Sequence, residues 1–290
     1  MNFGSSVEGR FVTISSDVDL HYVEAGTGDL CLLLVPGWTM SVEVFERQLA
    51  HYANSNVVRC IAVDPRSHGR SSQPEGGHTY WHHGQDIAAL IQGLDLKNIV
   101  LAGWSFATLG ILSYVKQFGS EHLSGLIMLD GPPKAVGADN QADWVTYRHD
   151  DADGQQAFYT LNRLIDPDTM NTQFIDWLLT DPTEENRQWL LGLTCKTPNH
   201  HASLLNATAN FLDFREDLIA LNDFLPLMYV VRAEQDAVVS GWAETYTPKA
   251  RVEAFGGHMM FWEQSEQFNQ VLDEYPVSYT HLTLPTNREV

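Results

Sequence analysis

The stretch GWSFATLG, residues 103–110, decides the fold because of what stands on either side of it. It approaches the pattern G-x-S-x-G, in which a tight turn between a strand and a helix presents a serine. The apolar run NIVLAGW leads into Ser105, and FATLGILSYV follows with helical spacing. Ala107 stands where the pattern has glycine, which adds one methyl group on the helix side. We therefore expect a strand–turn–helix unit with Ser105 at the turn.

The segments around this turn alternate between apolar runs of strand length and amphipathic helices. DLCLLLVPG, VVRCIAVDP, NIVLAGW and LSGLIMLDG have the continuous apolar character of strands that are covered on both faces. The alternation predicts an α/β fold with a mostly parallel central sheet and helices on both faces. Strand patterns stop between residues 134 and 215, where helical pieces such as TQFIDWLL predict a helical cap inserted after the sixth strand. The core domain would then comprise residues 1–133 and 216–276.

The last residues, 277–290 (VSYTHLTLPTNREV), have no amphipathic pattern, and we expect the preceding helix to end before them. They resemble translated cloning sequence of the kind found at the ends of environmental gene fragments. We interpret them as a non-native tail and leave them out of the fold prediction.

The overall charge narrows the range of partners. A formal net charge of −20 argues against nucleic acid and against anionic membrane surfaces, because both attract clustered lysine and arginine. Neither a bilayer-spanning apolar run nor a secretory leader is visible, so we expect a cytoplasmic protein. The three cysteines, Cys31, Cys60 and Cys195, lack the spacing of a disulfide framework or a zinc site.

Two further residues complete a candidate site with Ser105. A serine needs a base to become a nucleophile, and an acid must orient that base. His258 follows a strand and two glycines and is the expected base, and Asp236 in VVRAEQDAVV is the expected acid. The chain order is then Ser, Asp, His. Asp130, at the end of the strand LIMLD, competes with Asp236 for the role of acid, and Glu234 lies close in sequence.

From about residue 10 to residue 275 the chain resembles the α/β-hydrolase superfamily. VPGWTMSVEVFERQL, AVDPRSHGRSS, FREDLIALNDFLPLMYVVRAEQD and GGHMMFWEQSEQFNQVL are similar to segments of small-ester hydrolases and cofactor-free haloperoxidase-like perhydrolases. The resemblance implies a serine hydrolase that acts through an acyl-enzyme on Ser105, has a perhydrolase side activity and needs no metal or other cofactor. It also implies an oxyanion hole made by the backbone N–H groups of Trp38 and Phe106. The chain departs from the family pattern at Pro36, where histidine is usual, and at Ser67, where glycine is usual.

The cap sequence indicates what the substrate would be. Its aromatic and leucine side chains favour an apolar pocket for a small to medium carboxylic ester, a small-molecule substrate. We expect the pocket to be lined by Trp38, Trp177, Leu178 and Phe261. The oligomeric state is not predicted.

A metal site is one interpretation of the clustered histidines. His78, His82 and His83 have partly helical spacing, and His200 and His201 are adjacent in the cap. Because no carboxylate or cysteine completes a ligand set, we expect surface or loop positions for them instead.

Three other functions fit the same residues. A lactonase or a carbon–carbon bond hydrolase would use the same triad. A cofactor-free dioxygenase would depend on His258 and Asp236 far more than on Ser105. A non-enzymatic ligand binder would keep the pocket without turnover.

Overall fold

The computed structural model describes residues 9–137, 143–148 and 158–280. Ten strands form within them: β1 Arg10–Thr13, β2 Asp19–Ala25, β3 Leu30–Val35, β4 Val58–Val63, β5 Ile99–Trp104, β6 Leu123–Leu129, β7 Val136–Gly137, β8 Tyr147–Arg148, β9 Leu227–Val231 and β10 Arg251–Ala254. The α-helices of the described residues are α1 Glu46–Tyr52, α2 Tyr80–Gly93, α3 Ala107–Phe118, α4 Arg163–Ile165, α5 Pro167–Leu178, α6 Glu184–Thr194, α7 Asn199–Ala209, α8 Arg215–Leu221, α9 Asp236–Tyr246, α10 Met260–Glu263 and α11 Ser265–Thr280. Among these helices, none combines the length and apolarity needed to cross a bilayer.

Eight strands form one sheet in the order β1-β2-β4-β3-β5-β6-β9-β10. β1 and β2 pair antiparallel at one edge, and all the pairs from β4 to β10 are parallel. The central strands are apolar along their whole length because helices cover both faces; all six residues of β5 are buried. The predicted α/β fold with a mostly parallel sheet is confirmed.

The parallel strands deliver the polar residues of interest to one edge of the sheet. β5 ends directly before Ser105 and β6 directly before Asp130, while Trp38 follows β3 by three residues and His258 follows β10 by four. The carboxyl ends of parallel strands share one side of a sheet, which is where open α/β folds place their ligands.

Helices α4 to α8 and the short parallel pair β7–β8 lie between β6 and β9. This agrees in position with the helical segment expected after the sixth strand, and its exact division into core and cap stays a prediction. The expectation that the last helix ends before residue 277 is wrong, since α11 continues to Thr280. Residues 281–290 of the expected tail lie outside the described residues.

Buried Asp64 organises the loop that follows β4. Its carboxylate lies 2.7 Å from His21 Nδ1 and accepts hydrogen bonds from the backbone N–H groups of Val42 at 2.7 Å and Arg70 at 2.9 Å. Gly69 must be glycine here, because its φ is +51° and a Cβ would stand 2.2 Å from an Asp64 oxygen. Ser67 adopts a left-handed φ of 63°, which explains why glycine suits this position better.

Candidate active site

Ser105 occupies a sharp turn between β5 and α3. Its φ is 55°, a left-handed conformation that L-residues adopt only when their surroundings enforce it. The Ser105 N–H donates to the Leu129 carbonyl at 2.7 Å, and its own carbonyl accepts from the N–H and the hydroxyl of Thr108 at 3.0 and 2.8 Å. The predicted strand–turn–helix geometry at Ser105 is confirmed.

Small residues surround this turn because backbone packs directly on backbone. A Cβ at Gly103 would lie 2.9 Å from the Ala107 carbonyl group, and one at Gly131 would lie 2.1 Å from the Ser105 oxygen. A Cβ at Gly37 would lie 3.0 Å from the Ser105 Cβ. Ala107 begins α3 in a buried position, so its extra methyl group is accommodated.

His258 pairs with Asp130. The imidazole Nδ1 lies 2.5 Å from Asp130 Oδ2, and both side chains are almost wholly buried. Asp130 follows β6 with a φ of 44°, and its N–H donates to the Val230 carbonyl at 2.8 Å. This turn directs the carboxylate toward His258. Arg232 completes the arrangement, donating from its backbone N–H to Oδ1 at 3.1 Å and from Nη1 to Oδ2 at 2.9 Å.

The expectation that Asp236 orients His258 is corrected by this geometry. After β9 the chain passes through a short 3-10 turn, Ala233–Gln235, and Asp236 emerges exposed as the first residue of α9. Its carboxylate accepts a hydrogen bond from Ser240 Oγ at 2.8 Å. Glu234, the other nearby acid, is exposed and bonds Arg232 Nε. The distance of each acid from the end of its strand is the sequence feature that distinguishes them, because Asp130 follows β6 directly whereas Asp236 lies five residues beyond β9.

The environment keeps Asp130 ionised. Burial by itself raises the pKa of this carboxyl, but the hydrogen bonds and charges of His258 and Arg232 outweigh it and hold the pKa below its usual range. The His258 ring packs between Trp104 and Trp177, with centroid distances of 5.2 and 4.4 Å. Within the described residues, the buried His258 Nε2 has no hydrogen-bond partner, and that includes Ser105. Such bonds are often long or unformed in a free site.

Backbone donors stand beside Ser105. Within the described residues, the N–H groups of Trp38 and Phe106 donate to no carbonyl, and both residues line the same cavity as Ser105. The loop at Trp38 is fixed from the helical segment. Trp38 Nε1 donates to the Ala202 carbonyl at 2.8 Å, and Thr194 Oγ1 donates to Thr39 Oγ1 at 2.7 Å. The buried guanidinium of Arg163 lies 5.7 Å from the Trp38 ring.

The cavity at the sheet edge has a volume of about 450 Å³. Its walls combine seven aromatic side chains with the polar residues Arg148, Asn206, Arg232 and Gln235 around Ser105 and His258; the aromatic residues are Trp38, Phe106, Trp144, Tyr147, Tyr159, Phe174 and Trp177. Trp38 and Trp177 were predicted to line the pocket. The prediction is wrong for Leu178 and Phe261, which are fully buried and do not belong to the described lining. Phe261 packs instead against Phe45, Trp104 and Phe268.

Comparison with known proteins shows the family of the chain. The sequence model described as "Alpha/beta hydrolase family" matches residues 32–271. The chain belongs to this alpha/beta hydrolase family.

Individual relatives of the family add detail. A putative non-heme chloroperoxidase of Synechocystis is 31% identical over 41% of this chain and 42% of the relative. A bifunctional esterase/perhydrolase of Acinetobacter calcoaceticus is 27% identical over 46% of this chain and 49% of the relative. These alignments therefore span about half the length of the curated relatives. The crystal structure of a bromoperoxidase from Bacillus anthracis superposes with a TM-score of 0.81 at 19% identity, covering 92% of this chain and 99% of that one.

This family member also contains a buried group of histidines beside the site. His78 and His201 stack at 3.5 Å, and His68 lies 5.8 Å from His83. The expectation of surface or loop positions is wrong for His83 and His201, which are buried in helices α2 and α7. His78 does lie in a loop, although it is buried, and His200 is exposed. Burial lowers the pKa of His68 and of His201 to about 4, so both rings are neutral at pH 7. Within the described residues there is no group of three or more side chains arranged to hold a metal ion.

Proposed function

We propose that this chain is a serine hydrolase that cleaves small to medium carboxylic esters through an acyl-enzyme on Ser105. The observation that carries the proposal is the meeting of Ser105, held in its strained turn, with the His258–Asp130 pair on the wall of one cavity. Asp130 replaces Asp236 as the proposed acid.

Each group has a defined task in this mechanism. Ser105 Oγ attacks the ester carbonyl while His258 Nε2 takes its proton, and Asp130 stabilises the imidazolium that forms. The N–H groups of Trp38 and Phe106 donate to the developing oxyanion, and one such donor contributes about 3 kcal/mol to transition-state stabilisation. His258 then protonates the departing alcohol. Water activated by the same histidine hydrolyses the acyl-enzyme, and hydrogen peroxide in its place would give a peracid.

The cavity walls refine the expected substrate. Aromatic side chains supply apolar surface for the body of an ester, but Asn206 and Gln235 place polar groups in the same space. Asn206 Nδ2 already donates to Thr160 Oγ1 at 2.9 Å, but a wholly apolar substrate would cover the side-chain amide of Gln235 and remove its contact with water. We therefore propose an ester that carries a polar group beyond its scissile bond.

The test is hydrolysis of p-nitrophenyl esters of increasing acyl length by the wild type and by Ser105→Ala. We expect turnover by the wild type and a loss of at least about 1000-fold in the variant. Ser240→Ala on α9 is the matched control, because its hydroxyl bonds Asp236 rather than any residue of the proposed triad. Adding a lactone and a β-diketone to the panel distinguishes esterase from lactonase and carbon–carbon bond hydrolase. Absence of turnover on every substrate would favour a ligand binder.

One observation favours a second candidate, a cofactor-free dioxygenase. His258 Nδ1 is tightly paired with a buried carboxylate, while Nε2 is not engaged by Ser105. A histidine in that state can take a proton directly from a bound substrate, and an electron-rich organic anion can then react with oxygen. Oxygen uptake with hydroxylated aromatic compounds tests this function. It would persist in Ser105→Ala and disappear in His258→Ala, whereas an esterase loses its activity in both variants.

A further inference from the structure

Arg232 contacts both carboxylate oxygens of the His258–Asp130 pair. It is the first residue after β9, so the end of that strand fixes its backbone. The backbone N–H and Nη1 bond the two different oxygens of Asp130, which holds the plane of the carboxylate. Asp130 is 3% exposed and the Arg232 side chain is 23% exposed, so water competes little for these bonds.

The decisive detail is that one oxygen is shared. Asp130 Oδ2 lies 2.9 Å from Arg232 Nη1 and 2.5 Å from His258 Nδ1. A cation on the oxygen that faces the imidazole withdraws part of the negative potential that would stabilise an imidazolium. The arginine therefore holds the carboxylate in place and at the same time reduces its pull on the histidine proton.

We propose that Arg232 is a positioning residue that fixes Asp130 and sets the pH range in which His258 acts as a base. The charged groups around the pair are Asp130 on β6, Arg232 and exposed Glu234 after β9, and Arg148 on the cavity wall. The other elements packed around the histidine contribute Trp104 and Trp177, which do not titrate, and Glu263 of α10, whose carboxylate lies beside Gly257 and accepts hydrogen bonds from Thr180. Arg232 is thus the cation in direct contact with the proposed acid.

The sign of the effect follows from this arrangement. Replacing Arg232 by a neutral residue removes positive charge beside the imidazole, so protonation of His258 becomes more favourable. The histidine then loses its proton only at higher pH, and the acidic limb of the profile of kcat/KM against pH moves to higher pH. The backbone N–H of residue 232 still bonds Oδ1, so part of the carboxylate orientation survives the substitution.

The experiment compares Arg232→Gln and Arg232→Met, both neutral, with Arg232→Lys, which keeps the charge. Glu234→Gln is the control, because it removes the other carboxylate partner of the guanidinium at an exposed site. Two readouts are used: kcat/KM for p-nitrophenyl acetate between pH 5 and 9, and the NMR titration of the His258 ring, assigned by its absence in His258→Gln. The first readout rests on the proposed function, whereas the second needs no turnover.

We expect both midpoints to rise by about one pH unit in Arg232→Gln and Arg232→Met. They should return toward the wild-type value in Arg232→Lys and stay unchanged in Glu234→Gln. A ring titration that is the same in wild type and both neutral variants overturns the proposal, as does a rise in KM with an unmoved profile. If the ring titration moves but no ester is hydrolysed, the inference on Arg232 stands and the proposed esterase function fails.

Discussion

Replacing Asp130 by asparagine is the sharpest test of which acid serves His258. Both carboxylate oxygens of Asp130 accept hydrogen bonds, Oδ1 from the Arg232 N–H and Oδ2 from Arg232 Nη1 and His258. An asparagine side chain has one oxygen and one NH₂ group, so in either orientation its NH₂ faces a donor. If the NH₂ faces the imidazole, it favours the tautomer with the proton on Nε2, and that nitrogen can no longer act as a base.

The expected loss can be worked out from this rearrangement. The equivalent substitution in a serine protease triad lowers kcat by about 10⁴ through the wrong tautomer. We expect kcat/KM of Asp130→Asn to fall by about 10³ to 10⁴, which corresponds to about 4 to 5.5 kcal/mol of transition-state stabilisation. The unpaired buried donor also lowers the free energy of unfolding by about 1–3 kcal/mol.

The assay is p-nitrophenyl ester hydrolysis at pH 7.5, with circular dichroism to confirm that each variant is folded. Asp236→Asn is the matched control, because it makes the same chemical change at an exposed residue that bonds Ser240. Its kcat/KM should stay within about twofold of the wild type. The reasoning is refuted if Asp236→Asn loses more than 100-fold while folded Asp130→Asn keeps its activity.

Two further predictions concern stability. Because burial lowers the pKa of His68 to about 4, the unfolded chain binds its proton first as the pH falls. The free energy of unfolding keeps its full value above about pH 6.5 and decreases by about 3 kcal/mol toward pH 4. Urea unfolding of the wild type and of His68→Gln across this range should show a weaker dependence of this free energy on pH in the variant. Gly131→Ala should lower stability by about 1–3 kcal/mol and impair ester turnover, since its Cβ would stand 2.1 Å from the Ser105 oxygen. Gly192→Ala on α6, whose Cβ would meet no atom within 4 Å, should keep activity and raise the melting temperature; equal losses in both variants would contradict this account.

The sequence predicts the turn at Ser105 well because its determinants are local. A strand, a helix and small residues at fixed spacing specify the turn without reference to the rest of the chain. The acid is harder to assign, since Asp130 and Asp236 both follow parallel strands and both reach the same edge of the sheet. The difference lies in the left-handed φ of Asp130 and in its bonds to Arg232, 102 positions away.

The pocket shows a second limit of sequence reasoning. The sequence pattern of leucine and phenylalanine at helical spacing is the same for residues that face a cavity and for residues in the core. For this reason the sequence wrongly predicts Leu178 and Phe261 as pocket residues. The polar lining residues Asn206 and Gln235 carry no local signal, because they belong to separate segments that only the tertiary fold brings together.

The attachment of Trp38 to the helical segment affects both the entry of substrates and the result of exchanging this segment between relatives. The segment contacts the loop of the proposed oxyanion hole through Ala202, Thr194 and Arg163, so opening the segment as a rigid flap would break these contacts. We therefore expect substrates to enter through the mouth of the cavity while the segment stays docked. We expect an exchange of this segment for that of a relative to alter the turnover number of the proposed hydrolase together with its selectivity.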